Sequence, residues 1–186
     1  EKRAAMRRKL GLEDRFVIGH AGHLAAVKNQ MFLLDLMPSV LNRCPEACLL
    51  LLGEGEDRPA LERKICDLRL EPYVRLTGKV RYVSDFLNAM GVFAFPSLYE
   101  GVPLSILEVQ ANGLPCVISE RVPKDVFVTD LLRPLPLETP EAWVEAICTA
   151  KREMPETYAA LLAEMGFDTE AAMRKIYAIY NGESKT

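Results

Sequence analysis

The chain has 186 residues, of which 49% are hydrophobic and 26% charged, as expected for a single globular domain with a substantial apolar core. The formal net charge of −3 provides no general basic field, which argues against nucleic acid as a partner. No apolar run reaches the roughly 18 residues of a membrane-spanning helix, and no signal peptide is expected. The five cysteines are odd in number and form no C-x-x-C pair. This favours buried thiols in a reducing cytoplasm over disulfides or zinc.

The first half of the chain alternates between strand and helix patterns. The basic segment EKRAAMRRK is interpreted as a solvated helix face, with a membrane or partner contact as the alternative. A β-branched and aromatic run, FVIGHA (16–21), predicts the first strand, and NQMFLLDLMPSVLNRC shows helical periodicity. The apolar run ACLLLL predicts a strand buried on both faces, and it leads into Gly53-x-Gly55. A further helix is predicted to begin near Asp57 and Pro59.

The second half continues this alternation. YVRLTG, GVFAFPS and LPCVIS predict three more strands, VSDFLNAM predicts a short helix capped by Ser84, and residues 103–112 predict a helix that ends before Gly113. Five strands alternating with helices predict an α/β fold, namely a Rossmann-like, doubly wound parallel sheet with helices on both faces. From Thr139 onward the pattern predicts a helical C-terminal tail. The last tail helix carries an apolar stripe, assigned either to packing within this domain or to a face for another domain, at Met173, Ile176, Tyr177 and Tyr180.

Polar, glycine-containing loops follow the predicted strands, and ligands bind beyond the carboxyl ends of strands in open parallel sheets. Loops of this kind hold phosphates through backbone N–H groups. Neither G-x-G-x-x-G nor G-x-x-x-x-G-K-[ST] occurs, so simple dinucleotide and ATP sites lose support, and a lone G-x-G is more typical of a tight turn. The candidate binding residues in these loops are Gly22, His23, Lys28, Gly53, Gly55, Lys79, Arg81, Glu100, Gly101, Val102 and Leu104.

Two carboxylates in SLYEGVPLSILEVQANGLPCVIS suggest a specific chemistry. Residues 102–114 form a mostly apolar stretch that a domain should bury, yet Glu108 lies inside it and Glu100 lies eight positions earlier. Free N–H groups are expected at the helix start, and Gly101 allows a ligand to approach the backbone. Carboxylates accept hydrogen bonds from paired hydroxyls, so a sugar or ribose diol is a natural partner for a buried Glu108. The alternative is a surface glutamate on an amphipathic helix.

The stretch FPSLYEGVPLSILEVQANGLPCVIS resembles the Glu-x7-Glu signature of the retaining glycosyltransferases of family 4. It is most similar to the branch that makes bacterial capsular and exopolysaccharides. The resemblance extends to FVIGHAGHLAAVKNQMFLLDLM, LLLLGEGE, VRLTGKVRYVSDFLNAMGVFAFPS and the tail, so it covers nearly the whole chain. It implies a two-domain GT-B enzyme of which residues 1–186 are the single nucleotide-sugar-binding, C-terminal domain.

The resemblance also implies an activity and partners. A sugar would pass from a nucleoside diphosphate sugar, UDP-sugar by analogy, to an acceptor glycan or lipid-linked sugar, with retention at the anomeric carbon. The acceptor site would belong mostly to the protein's own N-terminal domain. No cofactor or metal would be required, and no Asp-x-Asp occurs in the chain. The enzyme would work in the cytoplasm or, as a peripheral protein, at the inner face of the membrane.

The same resemblance assigns roles to the candidate residues. Glu108 would hold the ribose hydroxyls, Glu100 would contact hydroxyls of the transferred sugar, and Lys28 would neutralise the leaving diphosphate. The backbone N–H groups that would hold the diphosphate or the sugar lie near Gly101, Val102 and Leu104. The loops at residues 53–55 and 79–81 would surround the base and the ribose.

One position departs from the family pattern. The family usually has Gly-Arg where this chain has Gly22-His23, and an imidazole does not reproduce a bidentate arginine. Transfer would then require that the diphosphate protonates His23 or that Lys28 suffices. Two other functions remain open, a noncatalytic nucleotide-sugar-binding domain and a GT-B epimerase acting on a sugar nucleotide. For His20, a loop or packing role is expected.

Overall fold

The computed structural model describes residues 2–152 and Tyr158, and its centre is a parallel β-sheet. Six strands pair within it in the order β3-β2-β1-β4-β5-β6. They are β1 Phe16–Ala21, β2 Ala47–Leu52, β3 Val74–Leu76, β4 Val92–Phe95, β5 Cys116–Ser119 and β6 Leu132–Leu135. The helices are α1 Lys2–Leu10, α2 Gln30–Arg43, α3 Arg58–Asp67, α4 Val83–Leu87, α5 Leu104–Ala111 and α6 Pro140–Thr149. Single 3₁₀ turns span Ala26–Lys28 and Lys124–Val126.

The strand order places a topological switch point between β1 and β4. The chain moves outward from β1 to β3 and then returns to pair β4 with the other side of β1, in the register Ile18↔Val92 and Gly19↔Phe93. All of these pairings are parallel, so the predicted doubly wound sheet is confirmed. At such a switch point the loops after the two central strands diverge and leave a crevice at the carboxyl edge of the sheet.

The sheet has an apolar core on each face because successive residues of a strand point to opposite sides. One core joins Ile18 and its same-face neighbours to α2, α3 and α6. The other joins Val17 and its same-face neighbours to α4 and α5. Trp143 of α6 is fully buried in the first core, where it packs edge-on against Phe32 at 5.2 Å between ring centroids. Helices on both faces explain why β2 is apolar at every position.

The sixth strand is an addition to the five predicted from the sequence. β6 reads LRPL, and within the described part of the chain it pairs with β5 alone, which places it at the edge of the sheet. Proline cannot donate to a strand ladder and is tolerated at an edge, where one side of the strand has no partner. The short run with Pro134 at its centre therefore carries too weak a strand pattern to be recognised locally.

Helix boundaries partly follow the predicted signals. Pro59 lies in the first turn of α3, and Gly113, with φ 62°, follows the end of α5, both as expected. Ser84 was predicted to cap α4, which is wrong because the helix begins at Val83 and Ser84 lies inside it. The basic helix α1 has no buried residue, in agreement with a solvated face, although Arg3 also donates a hydrogen bond to the Asn88 carbonyl oxygen at 3.1 Å.

Four further expectations concern a membrane span, a metal site, the cysteines and the helical tail. Within the described residues, no helix is long and apolar enough to cross a membrane. The same residues contain no group of three or more His, Cys, Asp or Glu side chains that could hold a metal ion. All five cysteines are free thiols. Of the predicted helical tail, α6 is confirmed, and the rest lies outside the described residues, including Met173, Ile176, Tyr177 and Tyr180.

Candidate functional site

The loops after β1 and β4 meet at the switch point and are fastened to each other. The backbone N–H of Leu98 donates to the Val27 carbonyl oxygen at 2.8 Å. The side-chain amide of Asn29 donates to the Pro96 carbonyl oxygen at 3.2 Å. These bonds hold the segment that carries Lys28 against the segment that carries Glu100.

Lys28 and Glu100 form a bidentate ion pair at this junction. The Lys28 ammonium lies 2.6 Å from Oε1 and 2.8 Å from Oε2 of Glu100, across 72 positions of sequence. Only 21% of the Lys28 side chain and 8% of the Glu100 side chain are exposed. The ammonium also lies 5.4 Å from the centroid of the Phe95 ring, within cation–π range. The structure therefore brings together the two charged residues that the sequence marked in separate loops.

A cavity of about 430 Å³ opens at the carboxyl ends of β1, β2 and β3. Its lining combines glycines, apolar side chains and three polar or charged residues, and consists of Ala21, Gly22, His23, Leu52, Gly53, Glu54, Lys79, Val80 and Val83. Gly22 joins the cavity to the ion pair, since a Cβ added to it would lie 3.6 Å from Cδ of Lys28. The Lys28 side chain therefore runs beside the cavity lining at Gly22.

The glycines after β2 allow two loops to pack backbone against backbone. Gly53 has φ 137°, and an added Cβ would lie 1.9 Å from the Gly22 carbonyl oxygen. A Cβ on Gly55 would lie 2.2 Å from the Leu24 carbonyl oxygen. Of the two predicted binding glycines in the loop after β2, Gly53 lines the cavity whereas Gly55 is not among the lining residues. The Gly-x-Gly motif is needed for this close approach of the loops that shape the cavity.

His23 lines the cavity but its imidazole bonds to a neighbouring carboxylate. Its Nε2 lies 2.8 Å from Oε2 of Glu56, and 62% and 68% of the two side chains are exposed. The pKa of Glu56 is lowered by a hydrogen bond from its own backbone N–H and, to a smaller extent, by His23. Any role of His23 toward a ligand therefore requires that the ring leave Glu56 or bind both.

The loop after β3 contributes one of its two predicted residues to the cavity. Lys79 is among the lining residues. Arg81 is not, and its guanidinium lies over the Tyr82 ring at 5.0 Å from the centroid. Glu54 is a lining residue that the sequence analysis did not single out, and its Oε1 accepts a hydrogen bond from Arg58 at 2.7 Å. No local pattern distinguished Glu54 from an ordinary surface glutamate.

The expectation that Glu108 is buried is wrong. Helix α5 buries Ile106, Val109 and Gln110, and Glu108 is exposed. Glu108 shares the outer face with Leu104, which is 68% exposed, because residues i and i+4 lie on one side of a helix. Among the described residues Glu108 has no side-chain hydrogen bond or ion pair. It lies one turn, or roughly 6 Å along the axis, from the helix start.

The start of α5 is accessible from outside the domain. A Cβ added to Gly101 would meet no atom within 4 Å, and Val102 is 70% exposed. This open segment is continuous in sequence with Glu100 and leads directly into the face that carries Glu108. The outward-facing carboxylate and the exposed backbone at the helix start are therefore available together.

A buried polar pair, His20 and Gln30, supports the loop after β1. His20 is fully buried in β1, so the packing role is confirmed. Its Nδ1 donates to the Ala94 carbonyl oxygen at 2.9 Å, and its Nε2 accepts from the Gln30 amide at 3.2 Å. The same amide donates to the His23 carbonyl oxygen at 2.8 Å. Burial lowers the pKa of His20 to about 4, which keeps the ring neutral. Sequence analysis missed Gln30, because a polar residue at a helix start carries no signal of burial.

Gln110 is a second buried amide that organises a loop next to α5. Its Nε2 donates to the Val126 carbonyl oxygen at 2.8 Å, and its Oε1 accepts from the backbone N–H groups of Val128 and Thr129 at 3.0 Å. It is fully buried, so these bonds form out of contact with water. Gln110 therefore ties the helix that carries Glu108 to the segment that follows β5.

This geometry suits a ligand with both negative charge and hydroxyl groups. Lys28 and exposed backbone N–H groups attract anions. The carboxylates of Glu100 and Glu108 accept hydrogen bonds but would repel phosphate, so they suit the uncharged, hydroxyl-bearing parts of a ligand. The cavity at the ends of β1, β2 and β3 is mostly apolar with a few polar groups, which is typical of a small-molecule pocket.

Comparison with known proteins identifies similar sequences. The family of glycosyl transferases group 1 matches residues 15–152. EpsF of Bacillus subtilis (strain 168), named as a glycosyltransferase, is 32% identical over 173 residues, which are 90% of this chain and 45% of EpsF. The UDP-Gal:alpha-D-GlcNAc-diphosphoundecaprenol alpha-1,3-galactosyltransferase of Escherichia coli is 34% identical over 114 residues, 59% of this chain and 30% of that protein. The chain spans less than half the length of either relative.

A solved structure shares the fold. HepE of Anabaena, in complex with UDP and glucose, superposes with a TM-score of 0.78 and 20% sequence identity, over 97% of this chain and 52% of HepE. At this identity the likeness establishes the arrangement of strands and helices and says nothing by itself about the ligand of this chain.

Proposed function

Because this chain belongs to the family of glycosyl transferases group 1, we propose that it is the donor-binding domain of a retaining glycosyltransferase that uses a nucleoside diphosphate sugar. The observation that carries the proposal is the Lys28–Glu100 pair beside the cavity at the topological switch point. UDP is the nucleotide we propose, since HepE is described in complex with UDP and the Escherichia coli relative uses UDP-Gal.

The ligand is placed by matching each of its parts to a group of the site. The base enters the cavity lined by Gly53 and Lys79, and the diphosphate lies near Gly22, where the Lys28 stem packs. The ribose diol binds the outward-facing carboxylate of Glu108. The transferred sugar lies at Glu100, and the exposed backbone of residues 101–104 supports it and the diphosphate.

Catalysis then depends mainly on stabilising the leaving diphosphate. As the bond between the anomeric carbon and the phosphate oxygen breaks, negative charge grows on the diphosphate, and a fixed ammonium stabilises that charge. Lys28 supplies it, aided by backbone N–H groups, so we propose no metal in the step. His23 lines the same cavity and adds a hydrogen-bond donor to the diphosphate when its ring leaves Glu56.

The acceptor is assigned to a part of the enzyme beyond this domain. The chain spans less than half the length of the two relatives, and the cavity beside Lys28 is assigned to the donor. The Escherichia coli relative acts on a diphosphoundecaprenol-linked sugar. We therefore propose that an N-terminal domain binds an acceptor glycan or a lipid-linked sugar, in surface polysaccharide synthesis at the cytoplasmic face of the membrane. This chain alone then binds nucleotide and transfers nothing.

Calorimetric titration tests the donor site. We expect the chain to bind UDP and UDP-glucose more tightly than ADP or GDP. Lys28→Ala should weaken UDP binding roughly ten-fold or more, because it removes a charge-assisted contact, and Glu108→Ala should weaken it to a similar extent. Lys64→Ala is the matched control, since Lys64 pairs with Asp35 and does not line the cavity.

Two results would overturn the proposal. One is the failure of any nucleoside diphosphate or its sugar to bind the chain. The other is an affinity that neither Lys28→Ala nor Glu108→Ala changes beyond the Lys64→Ala control. Robust sugar transfer by the chain alone would overturn only the assignment of the acceptor to another domain.

A further inference from the structure

The ion pair between Lys28 and Glu100 has a consequence for the ligands of the site. Two of the three N–H bonds of the Lys28 ammonium have acceptors on one carboxylate, at 2.6 Å and 2.8 Å. A diphosphate that takes Lys28 as its counter-ion must compete with this carboxylate. Any gain from the new contact is therefore reduced by the loss of an existing charge-assisted one.

Glu100 depends on this contact more than Lys28 does. Its side chain is 8% exposed, and among the described residues Lys28 is its only side-chain partner. Lys28 is 21% exposed and also faces the Phe95 ring. Withdrawal of the ammonium would leave a largely buried carboxylate without a hydrogen-bond donor, which is unfavourable, and would leave it close to a second negative charge.

We propose that Glu100 discriminates between a nucleoside diphosphate sugar and the bare nucleoside diphosphate, an inference that rests on the proposed function. The transferred sugar brings hydroxyl groups that can donate to Glu100 in place of the ammonium. The bare diphosphate brings no such hydrogen-bond donor. When it binds Lys28, Glu100 therefore loses one or both of its hydrogen bonds from the ammonium. Glu100 therefore weakens the binding of the bare nucleoside diphosphate, whereas the nucleoside diphosphate sugar avoids most of this penalty.

The same exchange assists product release. When the sugar leaves with the acceptor, its hydroxyls no longer donate to Glu100. The carboxylate then competes again for Lys28 and weakens the hold of the ammonium on the diphosphate. Glu100 is in this account a specificity-determining residue that acts on the nucleotide through Lys28.

The test compares UDP and UDP-glucose binding in the wild-type chain and in Glu100→Gln, with UDP replaced by whichever diphosphate the calorimetric screen selects. Glutamine has nearly the same shape without the charge, so Lys28 becomes available to the diphosphate. We expect UDP to bind roughly ten-fold more tightly, as for the release of one charge-assisted hydrogen bond. UDP-glucose should not gain in the same proportion, so the preference for the sugar nucleotide falls. Glu100→Ala should shift UDP affinity in the same direction. Agreement between the two variants shows that the gain does not come from a contact of the introduced glutamine amide with UDP.

Two controls separate this exchange from a general effect of charge. Asp35→Asn removes another carboxylate from a lysine, Lys64, at 2.5 Å, and should leave UDP affinity unchanged. In a Lys28→Ala background, Glu100→Gln should give a clearly smaller gain, because only the repulsion between the carboxylate and the diphosphate is left to relieve. Thermal unfolding of every variant verifies that each one is folded.

The outcomes distinguish this inference from the proposed function. If UDP binds in a Lys28-dependent manner but both Glu100 variants bind it no more tightly than the wild type, the inference is overturned and the donor site stands. A gain of the same size in the Lys28→Ala background also overturns the inference, since charge repulsion alone would then explain it. If no nucleotide binds, or if neither Lys28→Ala nor Glu108→Ala changes the affinity, the proposed function fails and the inference with it. If binding depends on Glu108 but not on Lys28, the inference alone is overturned.

Discussion

Acidification should destabilise this domain through one buried side chain, His20. The ring is fully buried, stacks near Phe93 and Phe95 at 6.0 Å and 5.7 Å between centroids, and accepts a hydrogen bond from Gln30 that an imidazolium could not accept. Burial lowers its pKa from 6.5 to about 4 in the folded state. Between these two values the unfolded chain binds a proton that the folded chain excludes, so stability is complete above pH 6.5 and falls as the pH approaches 4.

The size of the effect follows from the difference between the two pKa values. Each unit corresponds to about 1.4 kcal/mol, so the full loss is roughly 3 kcal/mol and most of it develops by about pH 4.5. The free energy of unfolding is measured by urea titration at about pH 7.5 and pH 4.5 for the wild type and for His20→Gln. Carboxylates that titrate over the same range contribute to both proteins and cancel in the comparison.

The expected result is a smaller acid-induced loss in His20→Gln than in the wild type, by roughly 2 to 3 kcal/mol. His20→Gln will lower stability at neutral pH because it disturbs a packed site, and this offset does not enter the difference. Equal losses in the two proteins would refute the reasoning, since His20 would then titrate alike in the folded and unfolded chains.

Three further predictions concern stability, measured by urea unfolding. Gly53→Ala should lower the free energy of unfolding by about 2 kcal/mol or more, because its Cβ would lie 1.9 Å from the Gly22 carbonyl oxygen. Gly101→Ala should be nearly neutral, and equal effects of the two would contradict the argument. Gln110→Leu should cost about 2 kcal/mol, since two backbone N–H groups lose their acceptor; an unchanged midpoint would contradict this. Trp143→Ala should cost about 3–5 kcal/mol, and a loss below about 1 kcal/mol would contradict its core position.

Much of the sheet was accessible from local patterns. The first strand was predicted at residues 16–21 and the structure has it at Phe16–Ala21, because a β-branched run ending at a glycine-rich loop is a strong local signal. The uniformly apolar β2 correctly indicated burial on both faces. β6 was missed, since an edge strand needs less apolar character and tolerates Pro134.

The candidate site was predictable in its location but not in its contacts. Strand ends of a parallel sheet share one edge, so Lys28 and Glu100 could be assigned to the same region before any distance was known. Burial of Glu108 was predicted wrongly because an apolar sequence with a weak periodicity does not say which face of α5 packs on the sheet. His20 and Gln30 form a buried polar pair that can be recognised only when the tertiary structure shows the two side chains in contact.

The sequence alone determined the alternation of strands and helices, the side of the sheet where the loops gather and the residue types available there, because these depend on neighbours a few positions apart. The tertiary structure decided that Lys28 pairs with Glu100 across 72 positions, that Gly53 must be glycine against Gly22, and that Glu108 points outward. These outcomes depend on how the faces of separate elements pack against each other. Packing of this kind is set by the whole fold, so no short stretch of the chain encodes it.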